Sequence, residues 1–221
     1  MVGIAQLFGD FLEGRPSTGQ GSVRPTYLPG VHWCDLHEVL PPIITENLKK
    51  GIAACKKAKE MGCKIGVYVA TTVGEETTMR GAYWAGARIQ PDVAIAVDVT
   101  YAQDYPGTDP AESGDVKLGA GPVICNSSIA NKKVNDQLKK CAKERSIPYQ
   151  IESFLGRTGT DADKMHIAGE GVVTALLSLP LRYMHSPSEV CHLSDIGYAI
   201  DLLAAFLCTV DGSTVIDPFA E

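Results

Sequence analysis

The run Ile65-Gly-Val-Tyr-Val-Ala-Thr-Thr-Val73 is dense in β-branched and aromatic residues, and after Gly74 it meets two adjacent carboxylates, Glu75 and Glu76. Such a run predicts a buried strand. A second apolar run, Pro91-Asp-Val-Ala-Ile-Ala-Val-Asp98, also closes on an acid. Between and beyond them the period changes to that of helices. Residues 47–61 put Leu48, Ile52, Ala53, Cys55 and Ala58 on one side and lysines on the other, and Gly62 stops the helix. Further helices are expected over 78–88, 129–146, 161–168 and 195–208, and strands over 148–154 and 171–179. Alternating strands and helices dictate an α/β fold, here a three-layer sandwich with a central mixed, mostly parallel sheet flanked by helices.

Residues 1–44 have another texture. Gly, Pro, Ser, Thr and Arg dominate Gly14 to Gly30 with no sustained period, so an irregular, at most partly ordered segment is expected there. Residues 45–221 then form the α/β domain.

Acids at the rim of an apolar core are costly to desolvate unless they meet a cation or move a proton. For either acid alone, a solvated strand end is the simpler reading. In open α/β sheets, however, ligands gather at the carboxyl ends of strands. Glu75, Glu76, Asp98 and His185 all occupy or closely follow predicted strand ends. A hydrolytic metal site needs carboxylate and imidazole ligands plus an open position. Glu76, Asp98 and His185 supply such a set, and Glu75 stands beside it as a candidate general base.

Bulk properties exclude several alternatives. The net charge of −6 and the lack of a basic run with interleaved aromatics argue against a nucleic-acid partner. The first ten residues lack the basic opening of a signal peptide, and no apolar stretch reaches membrane-spanning length, so no leader and no membrane partner are expected. Seven scattered cysteines without a CxxC pair suit reduced thiols in a cytoplasmic protein.

Val73-Gly-Glu-Glu-Thr-Thr-Met-Arg-Gly-Ala82 resembles the VQEEVGLRGA segment of the M42 metalloaminopeptidases, the glutamyl and tetrahedral aminopeptidase group. Pro91–Thr100 is similar to that family's next strand, with its aspartate at the matching distance. Leu118–Ile124, Ile147–Gln150, Gly159–Ala162 and Arg182–Pro187 resemble further family segments in order, so the likeness covers about residues 46–208. The resemblance implies a zinc-exopeptidase-like fold and two divalent metal ions, zinc or cobalt. It implies removal of N-terminal residues from peptides, and assembly into a homo-oligomer. Carried over by position, Glu75 would be the base, Glu76 and Asp98 would bind metal, and His185 would bind the second metal. Gly159, Thr160 and Asp161 would line the substrate cleft.

The resemblance also has gaps. The family uses a histidine from an HxD motif, an aspartate bridging both metals, and a second, β-rich domain; none is recognisable here. Glu46, in Ile44-Thr-Glu-Asn-Leu48, stands where the bridging aspartate should fall, either as a longer-armed substitute or with the ligand missing. His32 and Asp35 are other candidates, and Gly74 replaces the family's glutamine. Three readings stay open: a shortened active aminopeptidase, a domain completed by a partner chain, or a catalytically impaired homologue with a peptide-binding or assembly role.

Overall fold

The computed structural model describes residues 3–19, 21, 31–39, 42 and 54–217. Glu46 and most of the first half of the helix expected over 47–61 lie outside them. The chain divides into two compact units, residues 1–53 and 54–221.

In the first unit, β1 (Gly3–Ala5) pairs in parallel with β2 (Val31–Trp33). Between them runs α1 (Phe8–Glu13), which Gly14 ends in the left-handed conformation at φ 67°. A 3-10 turn, Leu36–Glu38, follows β2. Asp35 caps it by accepting from the His37 backbone N–H at 3.0 Å and lies 2.7 Å from His37 Nδ1.

The second unit starts with α2 (described over 54–60), then α3 (Arg80–Ile89), β3 (Val93–Tyr101) and the short α4 (Pro110–Ser113). It continues through β4 (Val123–Asn126), α5 (Lys132–Glu144), β5 (Gln150–Ser153), α6 (Ala162–Met165), β6 (Val173–Arg182), β7 (Val190–Cys191) and α7 (Leu193–Thr209). The sheet runs β3-β6-β4-β5, with β7 against β6. It is mixed: β3–β6 and β4–β5 are parallel, while β4–β6 and β6–β7 are antiparallel.

Strand β6 explains the layering. Its residues are apolar on both faces because both faces are covered. Ala175 and Leu177 pack with Ile124 against Val134, Leu138 and Cys141 of α5 and Ala199, Leu202 and Phe206 of α7. Leu176, pointing the other way, packs with Cys125 and Ala162 of α6. Helix α3 lies beside α6, where a Cβ at Gly86 would come within 2.7 Å of Met165 and Ala168 side-chain atoms. Each large apolar side chain buried this way contributes about 1.5–3 kcal/mol. Helix α5 follows its sequence: Asn131 accepts from the Val134 N–H at 3.1 Å to start it, and Val134, Leu138, Cys141 and Ala142 form its buried stripe. This is the expected three-layer α/β arrangement.

Two expectations need correction. Residues 65–73 form no strand, and Val67, Tyr68, Val69 and Val73 are exposed. β propensity supplies only about 1 kcal/mol of preference, and a strand also needs a neighbour to pair its N–H and C=O groups. None pairs with 65–73 among the described residues. The other correction concerns Asp98, which does not end its strand: β3 runs three residues further, to Tyr101.

Candidate active site

Glu75 and Glu76 stand on a turn. Gly74 adopts φ 75°, and its carbonyl accepts from the N–H groups of Thr77, Thr78 and Met79, the last at 2.7 Å. The Gly81 N–H donates to Val73 O at 3.1 Å. A Cβ on Gly81 would sit 2.3 Å from Val73 N, so only glycine allows this approach. The turn and the start of α3 are thereby locked together, and the two glutamates project from between them.

His185 comes from the turn after β6, where Tyr183 and His185 are held at φ 61° and 60°. Left-handed backbone at two bulky residues is strained and needs outside support. Glu189 provides some, accepting the His185 backbone N–H at 2.6 Å. The imidazole Nε2 then lies 3.2 Å from Glu76 Oε1.

Asp98 belongs to the same neighbourhood. Its carboxylate accepts from the Val99 N–H at 2.7 Å. Burial raises its pKa above the ordinary range, Val99 partly offsets this, and the charges of Asp161 and Glu76 push the same way as burial. Glu75 is raised too, by burial and then by Asp98, Glu76 and Asp161, with His185 pulling the other way. Five titratable groups thus interact: Glu75, Glu76, Asp98, Asp161 and His185. Thr72 Oγ1 donates to Asp161 Oδ2, while Asp161 Oδ1 is buried without a hydrogen-bond partner.

The loop 157–161 has a buried organiser that sequence reasoning missed. Asp163 accepts from the Thr158 N–H at 2.8 Å, Thr158 Oγ1 at 2.9 Å and the Gly159 N–H at 3.1 Å, with Arg157 Nε at 3.3 Å. Burial alone would raise its pKa, but these donors together lower it. Gly159 supplies φ 75° in this loop, and Thr160 Oγ1 lies 2.9 Å from Thr158 Oγ1. The available signal was the Thr160-x-x-Asp163 spacing at a helix start. Gly81 and Glu189 were missed as well: Gly81 lies in the matched Val73–Ala82 segment, where its close approach to Val73 cannot be read, and Glu189 carries no signature apart from its fold. Arg182, in the segment before His185, grips Asp104 through Nε and Nη2 at 2.8 and 2.9 Å and so ties the end of β6 to the loop after β3.

Neighbouring ligands on one tetrahedral ion with metal–N and metal–O bonds of about 2.0–2.2 Å lie roughly 3.3 Å apart. The Glu76–His185 pair meets that spacing, so its donors fit one divalent ion. Among the described residues no three His, Cys, Asp or Glu side chains converge on a metal-sized position, and Asp98 does not join the pair.

Residues 51–202 match the family model for the M42 glutamyl aminopeptidases. The chain belongs to that family. The lysyl aminopeptidase of Pyrococcus furiosus is 39% identical over 158 residues, 70% of this chain and 44% of its own. Among solved structures, aminopeptidase APDkam598 of the archaeon Desulfurococcus kamchatkensis aligns at TM-score 0.64 and 38% identity, over 73% of this chain and 47% of its own. A TET aminopeptidase of a marine-sediment Thaumarchaeota archaeon aligns at 0.68 and 30%, over 75% and 47%. The M42 chain described here spans about half the length of the relatives it matches. Residues 2–76 also match a model for the C-terminal domain of FAD-dependent proteins, overlapping the M42 match at 51–76. No helix among the described residues is long and apolar enough to cross a membrane.

Proposed function

We propose that this M42 chain is a metal-dependent aminopeptidase acting on the N-terminal residue of short peptides. The observation that carries the reading is the Glu76–His185 contact at 3.2 Å with Glu75 beside it in a cluster of carboxylates. Glu76 and His185 would hold one divalent ion, zinc or cobalt, with Asp98 close by. A second ion would need donors beyond this pair. When bound, the ion supplies Lewis-acid polarisation of the scissile carbonyl.

Glu75 has the properties of the proton carrier. Its raised pKa brings it nearer to neutrality, where a carboxylate can take a proton from an attacking water and return it to the leaving amine. Asp161, whose charge acts on both Glu75 and Asp98, would add a further carboxylate to the wall of the cleft. Gly159 and Thr160, held by Asp163, would form the adjoining wall.

P. horikoshii TET1 assembles into a tetrahedron or a large octahedral shell; assembly of this chain into a homo-oligomer is part of the same proposal, as is a cytoplasmic location. Among the described residues no third donor converges on the pair, and this favours a second reading, a catalytically impaired homologue that binds peptides or assembles. Elemental analysis and Zn²⁺ or Co²⁺ titration separate the two. Stoichiometric binding with aminoacyl-p-nitroanilide hydrolysis, lost in Glu75→Gln, supports the enzyme; no binding above background removes it.

A further inference from the structure

Three cysteines gather where α2 meets the end of α7. Cys63 Sγ lies 3.2 Å from Leu207 O, the carbonyl just before Cys208. Cys208 Sγ lies 3.4 Å from Ala58 O, which also accepts the Cys63 backbone N–H at 3.0 Å. Each thiol therefore reaches into the other's backbone, and both segments share one carbonyl. Cys63 is also close enough to Cys55 and Cys208 for its charge to disfavour the thiolates of both, in each case after burial. All three are partly exposed and unbridged.

We propose that Cys63 and Cys208 are a fold-directed oxidation site that closes to an intramolecular disulfide when the protein meets a peroxide. The reciprocal contacts favour Cys208 over Cys55 as the partner. One thiolate attacks the peroxide O–O bond and becomes a sulfenic acid, releasing hydroxide that is protonated to water for hydrogen peroxide. The second thiol then displaces the sulfenic hydroxyl as water, and the S–S bond forms. Two thiols lose two electrons and two protons in all, and the peroxide gains them. A dithiol reductant reverses the change by exchange.

The bridge would pin the turn after α2 to the last turn of α7. Cys63 lies two residues before Ile65–Val73, the segment leading to Glu75 and Glu76, so the link anchors the start of the arm that carries them. Buried Cys125, whose thiol is pushed up to about 12 by burial and then by Glu152, serves as an internal control that stays reduced.

The test is peptide mapping by mass spectrometry without reductant, after treating the full chain with hydrogen peroxide in native buffer and in urea. Expected is a dominant Cys63–Cys208 linked peptide in native protein, at least tenfold less of it in urea, and its loss on dithiothreitol treatment. It should persist in Cys55→Ser and vanish in Cys63→Ser and Cys208→Ser. A dominant Cys55–Cys63 link, links only between chains, no link at all, or equal yield in urea would each overturn the proposal. The wild-type map decides even where a serine variant fails to fold.

Discussion

Glu76 Oε1 and His185 Nε2, 109 positions apart in sequence, meet at 3.2 Å across the gap between the turn before α3 and the turn after β6. Both side chains are well exposed, at 73% and 60%, so as an ion pair they contribute at most about 1 kcal/mol to stability. Under the proposed function, the contact marks where one divalent ion would be held. His185→Ala and Glu76→Gln should each lower Zn²⁺ affinity by at least tenfold while moving the thermal midpoint of the metal-free protein by no more than a degree or two. Calorimetric titration and a melt of the apo form measure both. Unchanged affinity in both variants would take the pair out of metal binding.

Glu75 leads to a pH prediction with a definite sign. Burial and the charges of Asp98, Glu76 and Asp161 raise its pKa, so it keeps its proton to a higher pH than an ordinary glutamate. A base must be deprotonated, so kcat/KM for an aminoacyl chromophore should rise with pH through that elevated value. Asp161→Asn removes one of the charges, and the acid limb should move to lower pH. Glu75→Gln should cut the rate by roughly 10²–10⁴-fold at all pH values. An acid limb that stays put in Asp161→Asn would show that another group sets it.

What the sequence made legible follows from locality. The amphipathic stripe of α5 and the apolar runs of β3 and β6 carry their own periodicity, and the structure has those elements within a few residues of expectation. Residues 65–73 carry an equally clear β pattern yet form no strand, because a pattern cannot supply the neighbouring strand that satisfies its backbone. The site divides in the same way. The EE pair and the Arg182–Pro187 segment stand out as motifs, and Glu76 and His185 do meet. Asp163 and Gly81 lie in legible patterns and Glu189 in none, but all three act by shaping backbone, and which backbone they hold is displayed only by the folded chain.

Gly81→Ala probes one of those hidden constraints. The added Cβ would fall 2.3 Å from Val73 N and 2.7 Å from Val73 O, and backbone atoms cannot swing aside as a side chain could. Overpacking of this kind costs about 1–3 kcal/mol. The expected result is a lower urea midpoint with an unchanged m-value, accompanied by weaker Zn²⁺ binding because the turn bearing Glu76 is displaced. Wild-type stability in Gly81→Ala would mean that the turn can open without cost.

Asp163→Ala tests the buried organiser of the 157–161 loop. Its side chain is only 2% exposed, and its loss leaves the Thr158 and Gly159 N–H groups without their acceptor. These bonds are part-buried and Gly159 is exposed, so water recovers some of the donation and each loss falls in the lower half of the about 1–3 kcal/mol of a buried donor. The variant should be destabilised by roughly 2–4 kcal/mol on that basis, and amide exchange should quicken at Thr158 and Gly159 before the rest of the sheet. Uniform quickening across β4 and β6 would point instead to global loss of stability with no special role in the loop.

Glu152 carries the last prediction, on stability against pH. It is 1% exposed inside the sheet, where Thr100 Oγ1 and Ser178 Oγ donate to its carboxyl. Burial raises its pKa from the ordinary 4.5, and the two hydroxyls only partly offset this. The folded state therefore holds this proton more tightly than the unfolded chain does. By linkage, the stability that the protonated carboxyl confers is complete below about pH 4.5 and is lost as pH rises through the elevated folded value. Glu152→Gln has no such proton to lose. Urea midpoints measured from pH 4 upward should fall for the wild type relative to the variant across that window and run parallel above it. Identical pH slopes in the two proteins would show that Glu152 is ionised in the fold at ordinary pH, and that the sheet interior solvates its charge.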